Sequence, residues 1–195
     1  MCGIAGVFNL HVNKLIRVED LKRMTDTISH RGPDDEGVWK NDSNNIGLGH
    51  RRLSILDLTN KSSQPMHFGS RYSIIFNGEI YNYLEIKESL IKKGVRFITT
   101  SDTEVLLHSY ILKKEKCLND LDGMFAFAIW DNVEKTIFLA RDRFGEKPLY
   151  YGSFGSKFVF ASELKAIQVM KDFQLSINYE AVHQFLSMNF IPTPK

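Results

Sequence analysis

The chain begins Met1-Cys2-Gly3-Ile4-Ala5-Gly6-Val7-Phe8, and this start constrains the fold more than any other stretch. Ile4 to Phe8 is short, apolar and bounded by glycine, which predicts a buried strand. Cys2 then stands at the end of a rigid core element. Once Met1 is removed, Cys2 carries a thiol and a free α-amine on one residue. Such an amine titrates at about 7.7–8.0, so a useful fraction is neutral near physiological pH and can take the thiol proton directly or through a water. That is the N-terminal-nucleophile form of the nucleophile–base pair. On this stretch alone, a chance cysteine beside a mobile terminus is an equal alternative.

Helical and strand periods alternate along the rest. Val18, Leu21, Met24 and Ile28 predict an amphipathic helix, broken by His30-Arg31-Gly32-Pro33-Asp34-Asp35. Gly37–Trp39 and Ile46–His50 read as short strands around a polar turn. Arg51 to Leu58 alternates like a strand, a pattern that a loop can mimic, and Lys61 to Pro65 is a loop. Tyr72–Phe76 is a strand running into Asn77-Gly78-Glu79. A helix follows at Tyr83–Lys93, with Gly94 as its C′ residue, then a short strand at Arg96–Ile98. Ser101-Asp102-Thr103-Glu104 caps a helix over Val105–Lys114.

Four strands come next, at Met124–Trp130, Thr136–Ala140, Leu149–Gly152 and Phe158–Ala161, and read as one antiparallel meander. A short helix starts at Ser162–Lys165, and an amphipathic helix spans Tyr179–Met188. The pattern predicts an α+β layered domain of two packed sheets with helices outside. Residues 1–178 form the expected domain. Residues 179–195 read as a helix and the start of a linker, because Pro192-Thr193-Pro194-Lys195 follows a helix; the alternative is a natural end there.

At 195 residues, with 43% hydrophobic residues and 14 phenylalanines, the chain can fill the core of one domain. The net charge of +2 comes from mixed signs, which argues against a nucleic-acid or membrane-surface partner. No apolar run reaches the ~18 residues of a membrane span, and no secretory signal pattern is visible. Cys2 and Cys117 are too few for a disulfide framework, which predicts a reduced, cytoplasmic setting. Cys117 reads as a small, partly buried apolar residue.

An acyl-transfer site needs oxyanion donors and a substrate clamp besides its nucleophile. Asn77-Gly78 offers a side-chain NH₂ and an unobstructed backbone N–H, although Asn-Gly is more often a tight turn. Glu79 and Asp102 suit an ammonium group, or else serve as cap and surface residues. Arg52 suits a carboxylate, or else a structural ion pair. Together they describe a site for an amino acid with an amide side chain.

The motifs Cys2-Gly3-Ile4, Arg31-Gly32-Pro33-Asp34, Arg52-Leu53-Ser54-Ile55, Asn77-Gly78-Glu79-Ile80-Tyr81-Asn82, Ser101-Asp102-Thr103-Glu104, Gly123–Phe127 and Arg141–Leu149 resemble, in order and over nearly the whole chain, the class II glutamine amidotransferases. Within that class the chain is most similar to the N-terminal domain of the glutamine-hydrolysing asparagine synthetases, which Arg-Gly-Pro-Asp favours over the sugar-phosphate and phosphoribosyl-pyrophosphate enzymes. The resemblance implies a four-layer αββα sandwich of two antiparallel sheets. It also implies hydrolysis of L-glutamine to L-glutamate and ammonia.

Carried over by position, Cys2 is the nucleophile with its own amine as base, and Asn77 and Gly78 form the oxyanion hole. Arg52 holds the α-carboxylate, Glu79 and Asp102 lie near the α-amino group, and Arg52, Leu53, Ser54, Ile55 and Leu56 line the glutamine pocket. The resemblance further implies that ammonia passes through an apolar tunnel to a C-terminal synthetase domain that activates aspartate. ATP and magnesium are expected only in that domain, and no cofactor or metal is expected in this chain, which shows no phosphate-cradling loop. L-Glutamine and the synthetase domain are the expected partners, with a homodimer left open. Two alternatives stand beside this: a different ammonia acceptor, as in cell-surface polysaccharide synthesis, or a non-catalytic module of the same fold.

Overall fold

Two antiparallel sheets stack face to face because their strands alternate apolar side chains to both sides. The computed structural model describes residues 1–10, 15–57, 59–171, 173 and 176–192. Its first sheet contains β1 (Gly3–Asn9), β2 (Asp35–Lys40), β3 (Ile46–Arg52), β8 (Tyr150–Phe154) and β9 (Lys157–Ala161), in the order β2-β3-β1-β9-β8. The second contains β4 (Met66–Phe68), β5 (Tyr72–Ile80), β6 (Gly123–Asp131) and β7 (Thr136–Arg141), in that order. All pairings are antiparallel, with Gly3 opposite Arg51 in one sheet and Asn77 opposite Ala126 in the other.

Three apolar layers separate four layers of structure. Between the sheets lie Ile4, Ile46, Leu48, Ile75, Ala126, Ala128, Trp130 and Phe160. On the outer face of the first sheet, α1 (Val18–Asp26) and α4 (Leu164–Gln168) pack Leu21, Met24, Ala166 and Ile167 against Ala5 and Val7. On the outer face of the second, α2 (Tyr83–Lys92) and α3 (Asp102–Lys113) cover Ile74, Phe76, Phe125, Phe127 and Ile129. β6 shows the period of two plainly: Phe125, Phe127 and Ile129 face the helices, and Ala126, Ala128 and Trp130 face the other sheet. This is the αββα sandwich. Cys117 is fully buried in the α3 layer. The last helix, α5 (Tyr179–Met188), follows with Asn178 Oδ1 accepting the Ala181 N–H at 3.1 Å and no residue of its own buried.

Several local expectations need correction. The last four strands are not one meander: β6–β7 and β8–β9 are hairpins of different sheets. The chain changes sheet between them, around a turn gathered by Asp142, and strand periodicity carries no record of sheet membership. Arg96–Ile98 is not a strand; the buried Glu104 carboxylate takes the Ile98 and Thr99 N–H groups at 2.9 and 2.7 Å. α3 starts at Asp102, three residues ahead of expectation, because Ser101 is its N-cap and accepts the Glu104 N–H at 3.3 Å. The alternation after Arg52 belongs to a loop, since β3 ends there. Asn77-Gly78 does not close a strand but lies within β5. α1 ends at Asp26, although Ile28 stays fully buried in a following turn. The expected features at Leu58 and at Thr193-Pro194-Lys195 lie outside the described residues.

Candidate active site

Strand parity gathers the residues singled out from the sequence. Ile4 of β1 packs between the sheets, so Cys2, two residues earlier, is on the same side. Leu48 of β3 is followed at the same parity by His50 and Arg52, and Ile75 of β5 by Asn77 and Glu79. The ladder that pairs Gly3 with Arg51 sets Cys2 beside Arg52 at one end of the sandwich. There Cys2, Arg52, Leu53, Ile55, Leu56, Asn77, Gly78, Glu79 and Asp102 line one cleft with an empty volume of about 610 Å³. Ser54 alone of the expected set is not part of that lining, and its N–H donates to Asp34 Oδ2 at 2.7 Å.

Arg31-Gly32-Pro33-Asp34 buttresses the cleft from behind. Arg31 Nε donates to the Cys2 carbonyl at 2.9 Å, and Nη1 reaches Glu163 at 3.1 Å. A Cβ on Gly32 would lie 2.4 Å from the Arg51 carbonyl, so only glycine permits this approach. The Asp34 N–H then donates to the Arg52 carbonyl at 3.0 Å. The motif thus fixes both the Cys2 backbone and the start of the loop after β3.

The Cys2 sulfur sits 3.4 Å from the Leu53 nitrogen and 3.6 Å from its carbonyl oxygen. Burial pushes the thiol pKa up, against smaller downward pulls from the Leu53 backbone and the Arg52 cation. The thiol therefore keeps its proton until a base removes it. Met1 also lines the cleft. While it is attached, the Cys2 nitrogen is an amide and cannot be that base.

The backbone partners of β5 show which of its edges is free. The Phe76 N–H donates to Gln64 Oε1 at 2.6 Å, and the Phe76 carbonyl is 3.0 Å from His50 Nε2. The Ile80 N–H donates to Asp102 Oδ2 at 3.0 Å. Phe76 and Ile80 thus turn their backbone groups away from β6, and by the alternation of an antiparallel ladder so does Gly78 between them. A Cβ on Gly78 would come within 2.3 Å of the Met124 carbonyl, so no other residue fits. Asn77, next to it, is fully buried, and neither of its side-chain polar atoms has a partner. A buried, unpaired amide costs about 1–3 kcal/mol, which makes it a candidate for a ligand contact.

Charges of both signs line the cleft. The buried Arg52 spends Nη1 on the Thr59 carbonyl at 3.2 Å and Nη2 on the carbonyls of Leu56, at 3.4 Å, and Asp57. Arg52 also lines the cleft. Burial pushes Asp102 up to about 6, with the Ile80 N–H opposing and the Glu79 charge adding to it. Glu79 is also raised by burial, against the Lys147 ammonium. This Lys147, itself buried, lines the cleft and was not foreseen as a site residue. It comes from the segment that Asp142 gathers by accepting the N–H groups of Phe125, Phe144, Glu146 and Lys147. Gln64, Ser101, Thr103 and Met124 line the cleft as well. Lys147 lies inside the Arg141–Leu149 motif, whereas nothing in the local sequence marks Gln64.

Among the described residues, no helix is long and apolar enough to cross a membrane, and no three His, Cys, Asp or Glu side chains converge to hold a metal.

Residues 1–195 match the model of a family described as a glutamine amidotransferase domain. Glutamine-hydrolysing asparagine synthetase 1 of Bacillus subtilis is 45% identical over 100% of this chain and 30% of its own length. The third such synthetase of the same organism is 41% identical over 100% of this chain and 32% of its own length. The chain therefore spans about a third of the curated relatives it matches. Among solved structures, the Bacillus subtilis glutamine phosphoribosylpyrophosphate amidotransferase superposes with a TM-score of 0.73 at 24% identity, over 86% of this chain and 43% of that one. That likeness shows the fold.

Proposed function

The chain belongs to the glutamine amidotransferase domain family, and from that premise we propose that its cleft hydrolyses the side-chain amide of L-glutamine to L-glutamate and ammonia. The observation that carries the reading is the fully buried, unpartnered Asn77 amide in the cleft that Cys2 also lines.

With Met1 gone, the Cys2 α-amine takes the thiol proton, and the sulfur bonds to the amide carbon. The carbonyl oxygen becomes an oxyanion held by Asn77 Nδ2 and the Gly78 N–H. When the tetrahedral adduct collapses, the C–N bond breaks and the ammonium returns its proton to the leaving nitrogen, which departs as ammonia. Water, deprotonated by the same amine, cleaves the thioester, and the sulfur regains its proton. Arg52 takes the substrate α-carboxylate and Asp102 with Glu79 the α-ammonium. Leu53, Ser54, Ile55 and Leu56 belong to the pocket segment, with Ser54 acting through its backbone tie to Asp34. Each oxyanion donor is worth about 2.7–4 kcal/mol of transition-state stabilisation.

The curated relatives at 41–45% identity are named as glutamine-hydrolysing asparagine synthetases, so the ammonia acceptor is read as a synthetase domain that converts aspartate to asparagine. Residues 1–178 make up the amidotransferase unit, and 179–195 lead towards that domain. ATP and magnesium serve there, the glutaminase half-reaction runs without a cofactor, and the setting is the cytoplasm. The test is glutamate release from glutamine by the Met1-free chain and by Cys2→Ala. The variant should fold and bind glutamine but release no glutamate; undiminished release would rule Cys2 out.

A further inference from the structure

Asp57 is not in the cleft lining, yet the segments carrying two charged lining residues, Arg52 and Asp102, both hang on it. It sits on the loop after β3 with φ +49, a left-handed conformation uncommon for a non-glycine residue. Three bonds over-determine it. Oδ1 accepts the Thr59 N–H at 3.1 Å and the Thr59 hydroxyl at 2.6 Å, and Oδ2 accepts the Thr100 N–H at 2.8 Å. These donors hold its carboxyl well below the usual carboxylate range. Its own carbonyl accepts from Arg52 Nη2. Thr100 is one residue before the N-cap Ser101 and two before Asp102, the first residue of α3. One side chain therefore spans from the loop that orients the Arg52 guanidinium to the turn that presents the Asp102 carboxylate.

A zwitterionic amino acid needs a cation and an anion at a fixed separation, and a misplacement of about 1 Å can cost two orders of magnitude. We propose that Asp57 is the positioning residue that sets the separation of Arg52 from Asp102, and so restricts the cleft to amides bearing a free α-carboxylate and a free α-ammonium. The inference rests on the glutamine reading above. An asparagine at 57 would turn an NH₂ towards the Thr100 N–H, donor against donor, while keeping the shape.

The test compares this chain, freed of Met1, with Asp57→Asn and Thr59→Val. Steady-state kinetics give KM and kcat for glutamine. Intact mass follows labelling of Cys2 by the diazoketone analogue of L-glutamine, which needs the clamp, and by iodoacetamide, which does not. Asp57→Asn should raise KM and slow diazoketone labelling by about tenfold or more, the worth of one charged hydrogen bond. Saturated kcat and iodoacetamide labelling should stay unchanged. Thr59→Val should shift both in the same direction by less. An unchanged KM, or an equal fall with both reagents, would overturn the positioning role. A parent chain that takes iodoacetamide but ignores the diazoketone would instead overturn the glutamine reading, and the proposal with it.

Discussion

Replacing Asn77 by alanine should slow the reaction and leave the fold as stable as before, or more so. Both polar atoms of the Asn77 side chain are buried without partners, which costs the folded chain about 1–3 kcal/mol. Truncation removes that cost and loses only a small volume of packing, so the net change lies between ~0 and ~2 kcal/mol in favour of folding. For a chain of this size each kcal/mol moves Tm by about 2–4 °C, so Tm should hold or rise by a few degrees. In the proposed mechanism the same substitution deletes one of two oxyanion donors. That costs about 2.7–4 kcal/mol, a fall in kcat of roughly 10²–10³. KM should change little, because the donor meets charge that exists only in the tetrahedral adduct. Glutamate release and thermal unfolding on one preparation read both effects. A Tm lowered by several degrees with kcat within about tenfold of the parent would refute the reasoning and make Asn77 a structural residue.

Asp102, raised to about 6, must be ionised to hold an ammonium, so its contribution to kcat/KM is lost as pH falls through about 6. Protonation of the Cys2 α-amine already lowers the rate below about 8, so the logarithmic slope should steepen from one to two near pH 6, and Asp102→Asn should keep a slope of one. Because burial raises this carboxyl above its unfolded value of about 3.9, the ionised form costs stability above pH ~6, and Asp102→Asn should melt no lower than the parent at pH ~8. Asp142 is the opposite case: its lowered pKa means its contribution is present above the unfolded value and lost as pH falls through the folded one. Removing this acceptor of four N–H groups with Asp142→Ala should cost on the order of 2–4 kcal/mol, or about 5–15 °C of Tm. A preparation that retains Met1, identified by intact mass, should release no glutamate, because its Cys2 nitrogen is an amide.

The sandwich was legible because period two is strong in β1, β5 and β6, where Ile4, Ile75 and Trp130 alternate with residues that face the helices. That same parity puts Cys2, Arg52 and Asn77 on inter-sheet faces, so much of the cleft was encoded in the strand patterns. What escaped depends on side chains replacing backbone partners. Gln64, just before β4, satisfies the Phe76 N–H beyond the last β4–β5 pair, and a strand pattern cannot say how far its neighbour extends. Arg96–Ile98 is no strand because the Glu104 carboxylate, and not a neighbouring strand, accepts the Ile98 N–H. The β6–β7 and β8–β9 hairpins have equivalent alternation, and the chain passes from one sheet to the other through the turn that Asp142 gathers. Asp57 read as one more position in an alternating run, whereas its role depends on Thr100, which is remote in sequence.

Trapping the acyl-enzyme tests the central claim most directly. The Met1-free chain is mixed with L-glutamine, quenched in acid within the first turnovers and analysed by intact mass and peptide mapping. The account predicts a single glutamyl group in thioester linkage on Cys2, formed with release of one equivalent of ammonia and absent from Cys2→Ala. Glutamate production without any adduct on Cys2, and at the same rate in Cys2→Ala, would contradict it.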